Sequence, residues 1–452
     1  MQNNYLKLLG LHVLIGVFIY FSRFLGNLYF YGLVLFFLNR IVSATPDLKS
    51  FEVVRACAYI MGAEVILRMT NSGPFYESSK YLVILFSVFG LFYNGFNKKA
   101  IPYLLYLFLL IPGVYVSLYL LDIGQNIRKA IAFNLGGPVS LGIAALFCYG
   151  LQVTKKQLES IINFMLLPLV STLAYVIMYN PDVSAVATGT GSNFASSGGF
   201  GPNQMSTVLG LGFFLMAVRF FHFSHTKLLR YLDLAFVLLF AFRAIVTFSR
   251  GGVFTAIIMI LAFIFILYKT MDKSKRNKIL LSITVFSVIG VATWGLSVIQ
   301  TKGMIEKRYA NQNAMGHEKS DVTTGRADLF VAEFEEFIAN PFLGVGVGRV
   351  KDLRFQNTGI HAASHNEMSR IISEHGLLGL LAFSILLFVP LFFRLQNRSN
   401  VLFFSFYLFW LLTINHSAMR IAAPAFIYAL ALLNVTHEKR PIHRKQLKKP
   451  AV

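Results

Sequence analysis

Acidic residues are scarce in this chain. Its 452 residues hold 20 Asp and Glu against 41 Lys and Arg, a net charge of +21, and charged residues make up only 13%, where a soluble domain carries about 25%. A charge content so low excludes a soluble enzyme and a disordered chain, and the length excludes a small secreted scaffold. Cysteine is nearly absent. Cys57 and Cys148 are the only two, and both fall inside apolar runs, far from each other and from any histidine cluster. They support neither a disulfide framework nor a zinc site, so no metal is expected, and both read as small buried apolar residues. The sequence also lacks an internal repeat and the inverted half-and-half symmetry of many transporters. Residues 5–22 have no small-residue cleavage site before Arg23, which makes them a retained anchor rather than a signal peptide.

What is present is apolar: 56% of the chain, with a mean hydropathy of +0.62. At about 20 residues per crossing, candidate spans fall near 5–22, 24–42, 52–69, 80–95, 100–121, 129–150, 158–179, 203–222, 231–249, 252–270, 279–299, 377–394, 400–415 and 418–434. The fold class is therefore an all-α polytopic membrane protein of about 12–14 transmembrane helices, with membrane lipids as its surroundings. Lys98 and Lys99, Lys155 and Lys156, Lys227 and Arg230, Lys273 to Lys278, Arg394 and Arg398, and the tail Lys439 to Lys449 occupy alternate connections. That is the positive-inside pattern. It assigns the excess charge to topology rather than to nucleic acid, and it puts both termini in the cytoplasm. The expected division is residues 1–299 as spans with short connections, 300–376 as one large external helical loop, 377–434 as the last spans and 435–452 as a basic cytoplasmic tail.

The external loop concentrates the polarity. It carries ten carboxylates, half of the chain's 20, and long ordered loops are usually functional. A second external connection, Pro181 to Pro202, is rich in Ser, Thr and Gly and reads as a mobile loop. Within the large loop, Phe330, Phe334 and Phe337 have helical spacing over Arg326 to Asn340, with Thr324 as N-cap and Asn340-Pro341 as the stop. The glycine run Gly344-Val345-Gly346-Val347-Gly348 lacks the strand and helix of a nucleotide loop, and reads as a tight turn packed on membrane helices. From His365 to His375, the stripe His365, Met368, Ile372, His375 and the stripe Glu367, Arg370, Glu374 describe an amphipathic helix lying on the external membrane surface. His365 then falls in its first turn, where the helix dipole keeps an imidazole neutral and able to accept a proton.

Further candidates lie in the spans. Thr247-Phe248-Ser249-Arg250-Gly251-Gly252 joins two spans at the external face, and charged residues at such depth are functional candidates. Arg243 is seven residues earlier, which on one helix stacks it about 10 Å from Arg250 along the same face; pairing with a carboxylate or with backbone carbonyls is the alternative. Glu64 and Arg68, four apart, read as a structural intramembrane ion pair. Asn203 opens a span at the external face, placed either to hydrogen-bond a sugar or simply to cap the helix.

Taken in order, the Ser-Arg-Gly turn at 249–251, Thr-Gly-Arg at 324–326, Asn-Pro-Phe-Leu-Gly-Val-Gly from 340, and His365-Asn366 ahead of Glu374-His375-Gly376-Leu377-Leu378-Gly379 resemble the O-antigen ligase and polymerase superfamily, over roughly residues 195–395. The resemblance implies a GT-C-like membrane glycosyltransferase of the bacterial inner membrane, working at the periplasmic face without metal or cofactor. Its implied donor is a glycan on undecaprenyl pyrophosphate. The acceptor is a lipid A-core sugar in a ligase, or another lipid-linked glycan in a polymerase. It also carries functional roles onto Arg250, Arg326 and His365. The chemistry agrees, since arginine suits bidentate recognition of phosphate and a neutral histidine suits deprotonation of a hydroxyl. His361 is the rival base, and Arg308, Asn203 and Arg243 are further candidates for substrate binding. A lipid-linked glycan transporter or flippase is the alternative of another class, because it too would hold an anionic lipid with arginines.

Overall fold

The computed structural model describes residues 2–120, 127–321, 323, 325–359 and 364–436. The chain begins with α1 (Gln2–Phe21), α2 (Arg23–Ser43), α3 (Pro46–Met69) and α4 (Ser78–Asn94), followed by α5 (Ile101–Leu109), α6 (Ile111–Leu120), α7 (Ile127–Cys148) and α8 (Lys155–Tyr179). The middle holds α9 (Pro202–Val218), α10 (Lys227–Ile245), α11 (Arg250–Thr270) and α12 (Lys273–Gln300). Three shorter helices follow, α13 (Met304–Tyr309), α14 (Arg326–Ala339) and α15 (Val350–Thr358), and then α16 (Glu367–Gln396), α17 (Phe403–Thr413) and α18 (Ala422–Ala431).

Local chemistry sets many of these boundaries. Pro46 and Pro202 open α3 and α9 at positions where an N–H has no helical partner. A capping box between Thr154 and Gln157 starts α8. Pro112 near the start of α6 breaks what is, from Lys98 to Tyr119, a single crossing. All fourteen spans expected from hydropathy coincide with helices. Among the described residues, nine helical stretches are long and apolar enough to cross a membrane, and α17 and α18 are shorter apolar helices. The protein is an all-α polytopic membrane protein.

Two helices are buried nearly all round and form the centre. α3 is buried from Glu52 to Arg68 except at a few positions, and packs on α8 and α4; every residue of α18 is buried. At the periphery, Phe24, Leu35, Leu261 and Val291 are each more than 60% exposed, an apolar surface that needs lipid rather than water against it. Cys57 and Cys148 are buried, as expected of apolar fillers. The ends of the bundle are tied by a short parallel pair, β1 (Gln152–Thr154) with β2 (Asn434–Thr436).

The expected pair Glu64–Arg68 is present, 2.5 Å apart and buried in α3. It reaches further than its own helix. Glu64 Oε2 accepts the amide of Ala422 (2.5 Å), and Arg68 donates to the carbonyl of Arg420 (2.9 Å), so α3 fixes the entrance to α18.

Candidate active site

The turn between α10 and α11 carries the first group of side chains. α10 ends at Ile245, and Phe248 then takes φ +60° with its side chain fully buried. A non-glycine residue in this region costs about 1–3 kcal/mol and persists only when its surroundings over-determine it. Here they do: Asn193 N–H donates to the carbonyl of Thr247 (3.0 Å), Arg308 Nε–H to that of Phe248 (3.1 Å), and Ser206 Oγ to that of Ser249 (2.8 Å). The break ends the expectation that Arg243 and Arg250 stack along one helix face, because the helix stops between them. Arg243 is buried and donates to the carbonyl of Asn180 (2.7 Å), bracing the end of α8.

The two glycines after Arg250 have separate reasons to be glycine. A Cβ on Gly252 would lie 2.2 Å from the carbonyl oxygen of Ser206, where α11 touches α9 backbone to backbone; one on Gly251 would lie 2.5 Å from the ring of His416. Ser249 Oγ donates to Asn203 Oδ1 at 2.7 Å, which joins the Ser-Arg turn to the first residues of α9. Asn203 therefore reaches across to another element instead of capping its own helix, whose N-cap is Gly201.

Arg326 is the first residue of α14, and Gly325, with φ +77°, is the N-cap; Thr324 lies outside the described residues. The helix stops at Asn340 as expected. Arg250, Arg308 and Arg326 lie within electrostatic reach of one another. Burial first, then the charges of Arg250 and Arg326, push the Arg308 guanidinium down from its ordinary value; burial and then Arg250 do the same to Arg326. Among the described residues neither Arg308 nor Arg326 pairs with a carboxylate. Lys319 Nζ adds a link at 3.0 Å to Thr190 Oγ1, so the 300–376 segment also holds the Ser/Gly-rich segment before α9.

His365 sits one residue before the cap of α16, not in its first turn. The cap is Asn366, whose Oδ1 accepts from the amides of Met368 (2.9 Å) and Ser369 (3.3 Å). The neutral state expected of His365 is found, with a different cause. Burial, then the charges of Arg420, Arg326, Arg354 and His416, push its pKa to about 4. His365 lines a cleft of about 220 Å³ with Phe194, Asn203, Gln204, Ser417 and Arg420. His416 lies behind this wall, hydrogen-bonded to Thr207 Oγ1 (3.2 Å) and held neutral, mainly by burial, at about 4. His361 lies outside the described residues.

The segment Glu367–His375 is not an amphipathic helix on a membrane surface. Glu367, Arg370, Glu374 and His375 are all buried. The stripe of charges is real but turned inward: Arg370 pairs with Glu367 and Glu374, and also donates to the carbonyl of Asn134 (3.0 Å). The helix breaks at Gly376 (φ 63°, ψ −141°), where a Cβ would lie 2.5 Å from the carbonyl oxygen of Pro341. The glycine run is the packed turn that was expected. Val345 and Gly346 donate to the carbonyls of Ser373 (3.0 Å) and Glu374 (3.1 Å), Gly348 donates to Glu374 Oε1 (2.8 Å), and Val347 donates to Gly113 (3.3 Å) on α6. From the other side, Glu333 of α14 pairs with Arg354 of α15 and accepts from Ser369 of α16.

The structure thus brings Arg250, Arg308, Arg326, Asn203 and His365 to one end of the bundle. It assigns Arg243 to a structural contact and adds Arg420, His416, Ser417 and the cap Asn366. Arg420 had a sequence signal: an arginine inside an apparent apolar span. Residues 234–384 match the family described as O-antigen ligase. Over that stretch, about a third of the chain, the sequence is similar to the O-antigen ligase and polymerase superfamily. No curated protein and no solved structure matches it. The matched segment starts within α10 and ends within α16, so it contains Arg250, Arg308, Arg326 and His365 but not Asn203 or Arg420. The match supports, at a coarse level, a function of the ligase or polymerase type on lipid-linked glycans in a multi-pass membrane protein.

Proposed function

We propose that this protein is an O-antigen ligase, moving a glycan from undecaprenyl pyrophosphate to a sugar hydroxyl of lipid A-core. The observation that carries the reading is a half-buried imidazole, kept neutral, that lines a cleft at the same end of the bundle as three arginines drawn from three separate elements. In the reaction, His365 takes the proton of the acceptor hydroxyl as its oxygen attacks C1 of the donor sugar. The C1–O bond to pyrophosphate breaks, and its electron pair leaves with the pyrophosphate. Arg250 and Arg326 neutralise that developing charge, with Arg308 behind them. A guanidinium is always charged, so these residues fit an anion-holding role and cannot serve as the base.

On this reading the site faces the periplasm in the bacterial inner membrane, both termini are cytoplasmic, residues 300–376 form the periplasmic part, and the prenyl tail lies against the spans. The deciding experiment incubates purified protein in detergent with a purified lipid-pyrophosphate-linked glycan and lipid A-core. Formation of glycan-capped lipid A supports the ligase. Elongated lipid-linked glycan in its place identifies a polymerase. No product from verified substrates turns the reading toward transport. In cells, a ligase deletion leaves uncapped lipid A-core and accumulated long lipid-linked polymer.

A further inference from the structure

His365 has an orientation problem. Its Nδ1 is buried and, among the described residues, has no hydrogen-bond partner. A catalytic base is ordinarily oriented by a third group that bonds its far side. With no such group on the ring, its seat must come from the backbone on either side. On the C-terminal side the Asn366 cap fixes the chain to α16. On the N-terminal side the carbonyl of Ser364 accepts from Arg420 Nη2 at 2.7 Å, while Ser364 Oγ donates to the carbonyl of Asn366 at 2.8 Å and accepts its amide at 3.2 Å.

We infer that Arg420 is the positioning residue of His365, holding the Ser364 carbonyl so that the imidazole stays at the cleft, and that the Glu64–Arg68 pair of α3 exists to hold Arg420. The inference rests on the reading of His365 as the base. The anchoring is specific. Arg68 grips the carbonyl of Arg420, and Glu64 grips the amide two residues on. A buried ion pair contributes little net stability, but this pair fixes the backbone on both sides of Ile421, directly after Arg420. Arg420 then acts twice on His365, through the Ser364 carbonyl and through its charge. The charged and titratable groups acting on the ring are Arg420 before α18, Arg326 on α14, Arg354 on α15 and His416 after α17, and Arg420 has the largest effect among them.

Carbethoxylation by diethyl pyrocarbonate, read at His365 by mass spectrometry over a pH series, tests this without needing turnover, since only a neutral imidazole reacts. The rate plateau near neutral pH reports how closed the ring's seat is, and the midpoint reports its charge environment. In the wild-type protein the plateau should be low and the midpoint near 4. Arg420→Lys keeps the charge but loses the planar donor, so the plateau should rise several-fold with the midpoint unmoved. Arg420→Gln should raise the plateau and also lift the midpoint by about a unit. Wild-type plateaus in both variants would overturn the inference; if Arg420→Gln does not fold, the Lys variant's plateau decides alone. Failure of the glycosyl-transfer reading would show separately, as absence of product from the wild-type protein.

Discussion

Arg308 donates its Nε–H to the carbonyl of Phe248 at 3.1 Å, and Phe248 is held at φ +60° two residues before Arg250. The segment that follows α12 thereby fixes the backbone from which Arg250 projects. Removing the donor leaves a buried carbonyl unsatisfied, at a cost of about 1–3 kcal/mol. Arg308→Ala should therefore lower the melting temperature in detergent and reduce turnover together. Loss of turnover with an unchanged melting temperature would mean that Arg308 meets the ligand and does not brace the turn.

Arg250→Ala should insert and fold normally yet lose about 10²–10³-fold in turnover, the range for removing one preorganised charge-stabilising group. Arg250→Lys should recover only part of this, because an ammonium cannot make the bidentate contact. Full turnover in the Lys variant would show that a point charge suffices.

His365→Ala should lower turnover by about 10²–10⁴-fold, the usual share of a general base, while binding of the lipid pyrophosphate donor stays nearly intact. His361→Ala, assayed beside it with both substrates saturating, should be milder. A dead His361→Ala next to a nearly normal His365→Ala would move the base to position 361.

The pH profile follows from the direction of the His365 shift. The active form is the neutral ring, so activity is present above the folded pKa and falls as acid protonates the ring. In the free enzyme that pKa is about 4, so kcat/KM should stay level on acidification until the pH nears this value. Bound pyrophosphate offsets the arginine charges that disfavour the imidazolium, so the acid limb of kcat should lie at higher pH than that of kcat/KM. Coincident limbs would mean that donor phosphate does not sit near the ring.

Gly252→Ala should destabilise the bundle by about 1–3 kcal/mol, because its methyl group meets the backbone oxygen of Ser206 at 2.2 Å and would force α11 off α9. The shift should appear as a lower melting temperature. A wild-type melting temperature would show that the two helices can slide apart without cost.

Helix existence was legible because hydropathy reports lipid and burial directly: each expected span coincides with helix, and aromatic spacing likewise gave the loop helix α14 with its stop at Asn340. Position within the site was less legible. Hydropathy does not distinguish a buried charged stripe from a solvated one, so the Glu367, Arg370 and Glu374 face read as surface although Arg370 turns it inward. Helical spacing from Arg243 to Arg250 assumed one continuous helix, and a strained turn at Phe248, held by a distant Arg308, interrupts it. His365 came out neutral for reasons that needed the fold: burial first, and then the charge of Arg420, which is 55 positions away in sequence.

The dependence of the cleft on α18 also sets a schedule for biogenesis. The family-matched segment, with its arginines and His365, is complete by residue 384, before the residues that finish the cleft have been made. Ser417 and Arg420 arrive with α17 and α18, and β2 then pairs with β1 from the middle of the chain. Contacts so distant in sequence form late. If the proposed function holds, a chain that stops short of α17 would carry the arginines without the residues that complete the cleft around His365, and should bind an anionic lipid without processing it.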